Sequence, residues 1–233
     1  MEVQVGVAKI NKYASSESGD TLEVVERPGG GLSVVLADGQ RSGKSAKRIS
    51  NMVGRKVMAL LAEGVRDGAA ARAAADYLFT HRSGKVQSTL NILSIDLESR
   101  SLVISRNNPA PVLVHANGAL RLLDDESIAV GIYRNTRPVI TEIDLEPSLI
   151  VVCFSDGITN AGQNRNRSLD SADLFERLAQ TDSNAQVIAD AFLAEAVALD
   201  EGRPSDDISV VVLRVLPDSG DEVRRMFVRL PLS

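Results

Sequence analysis

Aromatic residues are scarce in this sequence of 233 residues, and tryptophan is absent. Phe and Tyr make up only 3% of the chain, which leaves few rings on which nucleotide bases could stack. No run of five or more like charges occurs, and the formal net charge is -5, so no segment is suited to neutralising a phosphate backbone. The composition therefore argues against a nucleic-acid-binding protein.

Cysteine and long apolar stretches are also lacking. The single cysteine, Cys153, lies in the apolar run 149–154, so we expect a buried thiol and no intramolecular disulfide. No stretch approaches the roughly 18 apolar residues that span a bilayer, and the first residues lack the pattern of a signal peptide. We therefore expect a cytoplasmic protein with no membrane partner. Nothing in the composition specifies an oligomeric state.

The remaining composition is that of an ordinary globular protein, with 44% apolar and 24% charged residues. No linker rich in Pro, Gly or Ser divides the chain. We predict one domain over 1–216, followed by a tail at 217–233. Arginine and apolar residues alternate within that tail, which suggests an edge strand at 223–230.

The spacing of apolar residues predicts the secondary structure. The predicted strands are 3–10, 22–26, 32–37, 88–96, 101–106, 111–115, 119–123, 138–145, 149–154 and 208–216. The predicted helices are 42–63, 69–79, 171–179 and 184–199. We interpret 88–123 as an antiparallel meander and 138–154 as a strand pair. Because strands and helices do not alternate regularly, we predict an α+β fold, a four-layer αββα sandwich with two mainly antiparallel sheets.

Acidic residues stand at four strand ends, each beside a small or polar residue. The four motifs are Ser18-Gly19-Asp20, Ala37-Asp38-Gly39, Ser155-Asp156-Gly157 and Ser205-Asp206-Asp207. If these ends converge, the carboxylates raise one another's pKa values unless cations neutralise them. Oxygen ligands without a Cys or His cluster favour Mg²⁺ or Mn²⁺ over Zn²⁺. The pattern predicts two divalent cations, an arrangement suited to activating water for attack on a phosphoryl group.

In this order the four motifs resemble those of the metal-dependent protein phosphatase 2C family. The similarity is greatest to the bacterial branch of stage II sporulation protein E and the stressosome and sigma-factor regulatory phosphatases, and it extends from residue 1 to about residue 216. It implies a 2C-like fold and a serine/threonine protein phosphatase. The implied substrate is a phosphorylated regulatory protein of a sigma-factor, anti-sigma-antagonist or stressosome pathway.

The resemblance also implies roles for individual residues. The metal-binding candidates are Asp20, Asp38, Gly39, Asp156, Asp206 and Asp207. Asp38 is expected to bridge both ions, and Asp38 and Asp156 are the catalytic candidates. The family's ligand is the earlier residue of the last pair, which favours Asp206, but both members of the pair stay candidates.

Two features bear on the substrate. Arg41 and Lys44 follow the second motif and are candidates for contacting the substrate phosphate, although such side chains more often face solvent. The family pattern is broken at Gln40, where many eukaryotic members carry His, and at 106–109, where many bacterial relatives carry a turn similar to Gly-His-Pro-Pro. Two other functions stay open, namely a catalytically silent binding module and a small-molecule phosphatase.

Overall fold

The computed structural model describes residues 1–231, which form ten strands and five α-helices. The strands are β1 (Glu2–Ile10), β2 (Asp20–Glu26), β3 (Leu32–Gly39), β4 (Ser88–Asp96), β5 (Ser101–Asn107), β6 (Val112–Ala116), β7 (Ala119–Leu123), β8 (Val139–Asp144), β9 (Ile150–Phe154) and β10 (Ile208–Leu216). The helices are α1 (Gly43–Ala62), α2 (Asp67–Arg82), α3 (Asp156–Thr159), α4 (Ser171–Ala179) and α5 (Ala185–Leu199), with a 3₁₀ turn at Gln163–Arg165. The ten strands and four helices predicted within 1–216 are confirmed, and the short helix α3 and the 3₁₀ turn are additions.

The strands form two antiparallel sheets of five strands each. The order is β1-β10-β9-β6-β7 in the first sheet and β2-β3-β4-β5-β8 in the second. Neighbouring layers pack through three clusters of buried apolar side chains. One lies between α1–α2 and the second sheet, one between the two sheets, and one between the first sheet and α4–α5. Each fully buried large apolar side chain in them contributes about 1.5–3 kcal/mol. The predicted four-layer α+β sandwich is confirmed.

Two predicted strand groupings are wrong. The expected meander is broken between β5 and β6, because β5 pairs with β4 and β8 whereas β6 pairs with β7 and β9. The expected pair at 138–154 is likewise divided, since β8 joins the second sheet and β9 the first. A turn signal marks where the chain reverses, but it does not say which of two apolar sheets the next strand joins.

The predicted edge strand at 223–230 is also wrong. Within the described part of the chain, residues 217–231 contain no strand or helix. Val223, Phe227 and Leu230 are 61%, 88% and 76% exposed, so no neighbouring strand covers the apolar side chains of this segment. The last two residues of the predicted tail, 232 and 233, lie outside the described residues.

The remaining sequence expectations concern Cys153 and the membrane. Cys153 is buried between the sheets with a free thiol, as expected, and burial raises its pKa to about 12. None of the helices in residues 1–231 is long and apolar enough to cross a bilayer.

Candidate active site

Strand alternation delivers two aspartates to one end of the space between the sheets. Val34 and Leu36 of β3 belong to the inter-sheet core, and Asp38 continues their row because side chains two apart share a face. Asp20 pairs with Asp38 across β2 and β3. The Ser209 hydroxyl of the opposite sheet donates to Asp20 Oδ2 at 2.6 Å, so the Asp20 carboxylate lies between the two sheets.

The first sheet supplies two more aspartates at the same end. Asp156 begins α3 immediately after β9, and Asp206 stands just before β10. Gly157 allows these two chain segments to meet, since a Cβ there would lie 2.1 Å from the Asp207 carbonyl oxygen. Asp38, Asp156 and Asp206 line a single cleft. The structure thus brings together aspartates from four separate strand ends.

Burial, with added repulsion from neighbouring charges at some of the groups, raises the pKa values of the four carboxylates. Burial, followed by the charges of Asp20 and Asp156, raises the pKa of Asp38 to about 10. Burial also raises the pKa of Asp156, and burial together with the Asp156 charge raises the pKa of Asp206. The pKa of Asp20 rises to about 6 through burial, against the opposing effects of the Ser209 hydroxyl and the Lys9 charge. Deprotonating all four groups requires compensating positive charge.

The donor set fits hard divalent cations. Asp20 Oδ1 is buried without a hydrogen-bond partner, so one oxygen of the group has no compensating contact. Nowhere in residues 1–231 are three or more His, Cys, Asp or Glu side chains arranged to hold a metal ion by themselves. Mg²⁺ usually keeps several waters and takes one or two carboxylates, so carboxylate pairs, a backbone carbonyl and water would complete its coordination.

Asp206 and Asp207 are neighbours in sequence but differ in environment. Asp206 lines the cleft. Asp207 is 3% exposed, and its two oxygens accept the backbone N–H groups of Lys12 at 2.9 Å and Gly19 at 2.8 Å. Asp207 therefore ties the β1–β2 loop to the start of β10, whereas Asp206 has an oxygen available to the cleft.

Two cationic side chains line the cleft beside the carboxylates. Arg41 lies there, in a left-handed conformation with φ of 76°. Lys12 lines the cleft as well. It is not among the residues predicted from the sequence, because a lysine between β1 and β2 carries no motif or periodicity. Lys44 is exposed and is absent from the residues that line the cleft.

Helix α1 packs directly against the site. A Cβ on Gly39 would lie 2.0 Å from the carbonyl oxygen of Ala46, so this close approach requires glycine. The Lys47 amine donates to the Asp20 carbonyl at 2.6 Å, and the Ser50 hydroxyl donates to the Gly19 carbonyl at 2.5 Å. The backbone around Asp20 and Asp38 is therefore fixed by α1.

The segment 106–109, which departs from the family pattern, is a buried support. Arg106 is 2% exposed and donates to the Asn108 carbonyl at 2.7 Å. The Asn107 amide donates to the carbonyls of Ile128 and Arg137 at 3.0 and 3.1 Å. These contacts hold the connection between β7 and β8, and the segment carries the chain from the second sheet to the first.

The fold defines the class of protein. Three solved structures share it at low sequence identity. The structure of the 2C phosphatase domain with a fragment of the regulatory domain of SpoIIE from Bacillus subtilis gives a TM-score of 0.80 at 22% identity, covering 94% of this chain and 64% of that one. RsbX in complex with magnesium gives 0.69 at 16%, covering 91% and 94% of the two chains. The catalytic domain of the phosphatase PstP with two manganese ions gives 0.69 at 14%, covering 92% and 99%. The chain has the fold of the 2C-type protein phosphatases.

The sequence defines the family within this class. The model of the family "Stage II sporulation protein E (SpoIIE)" matches residues 28–216, and the chain belongs to that family. The stage II sporulation protein E of Bacillus subtilis strain 168 is 23% identical over 214 residues, which are 91% of this chain and 26% of that relative. The chain thus spans about a quarter of the length of this relative. The predicted resemblance is confirmed.

Proposed function

We propose that this chain is a metal-dependent serine/threonine protein phosphatase. The observation that carries the proposal is the convergence of aspartates from four strand ends at one end of the inter-sheet space. Burial raises the pKa of all four carboxylates there, and the charges of neighbouring members raise the pKa values of Asp38 and Asp206 further. Clusters of carboxylates with strongly raised pKa values are typical of functional sites. Membership of the SpoIIE family supports the same activity.

We assign two divalent cations, Mn²⁺ or Mg²⁺, to this cluster. The charges of Asp20, Asp156 and Asp206 all raise the pKa of Asp38, and we propose that Asp38 contacts both ions. Asp20 and the Gly39 carbonyl would hold one ion, and Asp156 and Asp206 the other. When bound, such ions lower the pKa of water and neutralise phosphoryl oxygens. We leave Asp207 out of the ligand set, because its oxygens accept backbone N–H groups of the β1–β2 loop and it does not line the cleft.

The other cleft residues act on the substrate in this proposal. Lys12 and Arg41 bind the phosphate oxygens, because both cations line the cleft that the aspartates open into. The Gln40 backbone N–H donates to the Gln87 carbonyl at 3.0 Å, and the Gln40 side-chain oxygen Oε1 accepts the Gln87 backbone N–H at 3.3 Å. Since Gln40 cannot act as a general acid, the leaving serine or threonine oxygen takes its proton from solvent. Lys44 is exposed and does not line the cleft, so we propose no contact between Lys44 and the phosphate.

The proposed substrate is a phosphoserine or phosphothreonine on a bacterial regulatory protein. We place that protein in a sigma-factor, anti-sigma-antagonist or stressosome pathway of stress response, in the cytoplasm. Support comes from membership of the SpoIIE family and from a structural relative reported under the subject of the bacterial stressosome, with a TM-score of 0.70 at 15% identity.

Phosphatase assays test the proposal. We expect hydrolysis of p-nitrophenyl phosphate and of a phosphoserine peptide in Mn²⁺, and no hydrolysis in EDTA. Asp38→Asn should lower kcat at least 100-fold, whereas Asp144→Asn, an exposed aspartate at the end of β8, should match wild type. Failure of wild type to hydrolyse either ester in Mn²⁺ would favour a silent binding module. Hydrolysis of the small ester alone would favour a small-molecule phosphatase.

A further inference from the structure

Asp200 is a buried carboxylate outside the proposed ligand set. It ends α5, is 1% exposed, and uses both oxygens. Oδ1 accepts the Gly162 backbone N–H at 2.9 Å, and Oδ2 accepts the Ser205 backbone N–H at 2.7 Å. The Arg165 guanidinium lies 3.6 Å from Oδ1, which supplies a compensating charge. Asp200 does not line the cleft, so the proposed metal site does not by itself account for the burial of this carboxylate.

The two N–H groups come from the segments that carry two proposed ligands. Gly162 follows α3, the helix that Asp156 begins, and Ser205 directly precedes Asp206. Asp200 thus connects the backbone that follows Asp156 in sequence, at Gly162, to the backbone that precedes Asp206, at Ser205. Gly162 adopts a left-handed conformation with φ of 78°, so the chain turns at the point where Asp200 holds it.

We propose that Asp200 is a positioning residue that sets the spacing of the Asp156 and Asp206 carboxylates. Its role rests on the proposed function, because it acts through the cation that these two residues would hold. Only an ionised carboxylate offers an acceptor oxygen to each N–H. In Asp200→Asn one oxygen becomes an NH₂ group, which cannot accept, so one of the two segments loses its anchor.

Metal binding separates this role from ordinary structural support. The matched control is Asp67→Asn, because Asp67 is another buried carboxylate, 7% exposed, that pairs with Arg27 at 2.9 Å at the end of the sandwich away from the cleft. Mn²⁺ binding is measured by isothermal titration calorimetry, with unfolding temperatures recorded in EDTA. We expect wild type and Asp67→Asn to bind two Mn²⁺ ions alike. In Asp200→Asn we expect one ion to bind at least tenfold more weakly and the other as in wild type.

The outcomes distinguish the two proposals. If wild type binds no Mn²⁺, the proposed function fails, and the role of Asp200 fails with it. If wild type binds two ions and Asp200→Asn binds both with unchanged affinity, the positioning role is overturned and Asp200 only stabilises the fold. If Asp200→Asn does not fold, Ser205→Pro takes its place. It removes the N–H that reaches Oδ2, together with the Ser205 hydroxyl, and fixes φ at about −65°. Ser205→Ala, which keeps the N–H, is its control, and the same tenfold loss is required in Ser205→Pro but not in Ser205→Ala.

Discussion

At the scale of single residues, Asp206 and Asp207 show how adjacent carboxylates acquire different roles. Burial and the charge of Asp156 raise the pKa of Asp206, which faces the cleft. Asp207 faces the β1–β2 loop and accepts two backbone N–H groups there. Both residues precede the first residue of β10, and the irregular backbone there directs Asp206 to the cleft and Asp207 to the β1–β2 loop.

Substitution of each member by asparagine should separate metal binding from stability. We expect Asp206→Asn to weaken Mn²⁺ binding at least tenfold while leaving the unfolding free energy in EDTA unchanged or slightly higher, because it removes a repelling charge. Asp207→Asn should lower that free energy by about 2–4 kcal/mol, since one backbone N–H loses a charged acceptor in a buried setting. Urea unfolding in EDTA and calorimetric Mn²⁺ titration measure the two effects. Equal metal affinity in wild type and Asp206→Asn would show that Asp206 is not a ligand.

The sequence predicts part of the site at this scale. The four aspartate motifs are visible because each follows or precedes a strongly apolar strand, and alternation then specifies which way the side chain points. Lys12 and Asp200 carry no such signal. Lys12 reaches the cleft only because Asp207 fixes its loop, and Asp200 matters only because two distant segments meet at α5. Contacts between residues far apart in sequence leave no local pattern.

At the scale of secondary-structure elements, strand positions are predictable but strand partners are not. Local alternation of apolar residues locates β5, β6, β8 and β9 correctly. Each of these strands presents an apolar face to the space between the sheets. Such a face would be buried in that space whichever of the two sheets the strand joined. For β5 and β6 the change of sheet coincides with the segment 106–109, and hydrogen bonds of Arg106 and Asn107 hold this segment in place. Nothing local to a strand encodes that choice.

The segment after β10 behaves differently from the ten strands. Its apolar residues are interspersed with arginines, yet they stay exposed, and Phe227 is 88% exposed. Its links to the domain are few and exposed, such as the Arg224–Glu26 pair at 4.0 Å. Pairs of this kind contribute about 0–1 kcal/mol, so the segment adds little to the stability of the sandwich.

Deletion of 217–233 should therefore leave the domain intact. We expect the unfolding temperature to change by no more than about 2–4 °C, the shift that about 1 kcal/mol produces in a domain of this size. Mn²⁺-dependent hydrolysis of p-nitrophenyl phosphate should be unchanged, since the cleft lies at the other end of β10. Differential scanning calorimetry measures the unfolding temperature, and the p-nitrophenyl phosphate assay measures the hydrolysis. A loss of more than 10 °C would place this segment inside the folded domain, against the boundary predicted at 216.

At the scale of the whole molecule, apolar packing and carboxylate burial have opposite effects on stability, and the buried carboxylates lie at one end of the sandwich. Three apolar clusters hold the four layers together, and the same layers bury a set of repelling carboxylates. The unfavourable charge is tolerated because the apolar layers continue through the rest of the domain. A protein arranged in this way should respond to pH and to cations chiefly through that one end.

The metal-free protein should lose stability as the pH rises. Asp38 has its pKa raised to about 10 and Asp20 to about 6, and those of Asp156 and Asp206 are raised as well. In the unfolded chain these groups titrate near pH 3.9. Between about pH 4 and 10 the folded state therefore binds more protons than the unfolded state, and its free energy of unfolding falls with rising pH.

Urea unfolding in EDTA at pH 6 and pH 9 measures this dependence. We expect wild type to be less stable at pH 9, and we expect Asp38→Asn to reduce the difference because the group with the highest pKa is gone. Adding Mn²⁺ should stabilise wild type more at pH 9 than at pH 6, since cations bind the deprotonated carboxylates. Asp144→Asn should follow wild type throughout. If metal-free wild type is instead more stable at pH 9, the carboxylates are ionised in the folded state without help, and no electrostatic need for bound cations exists.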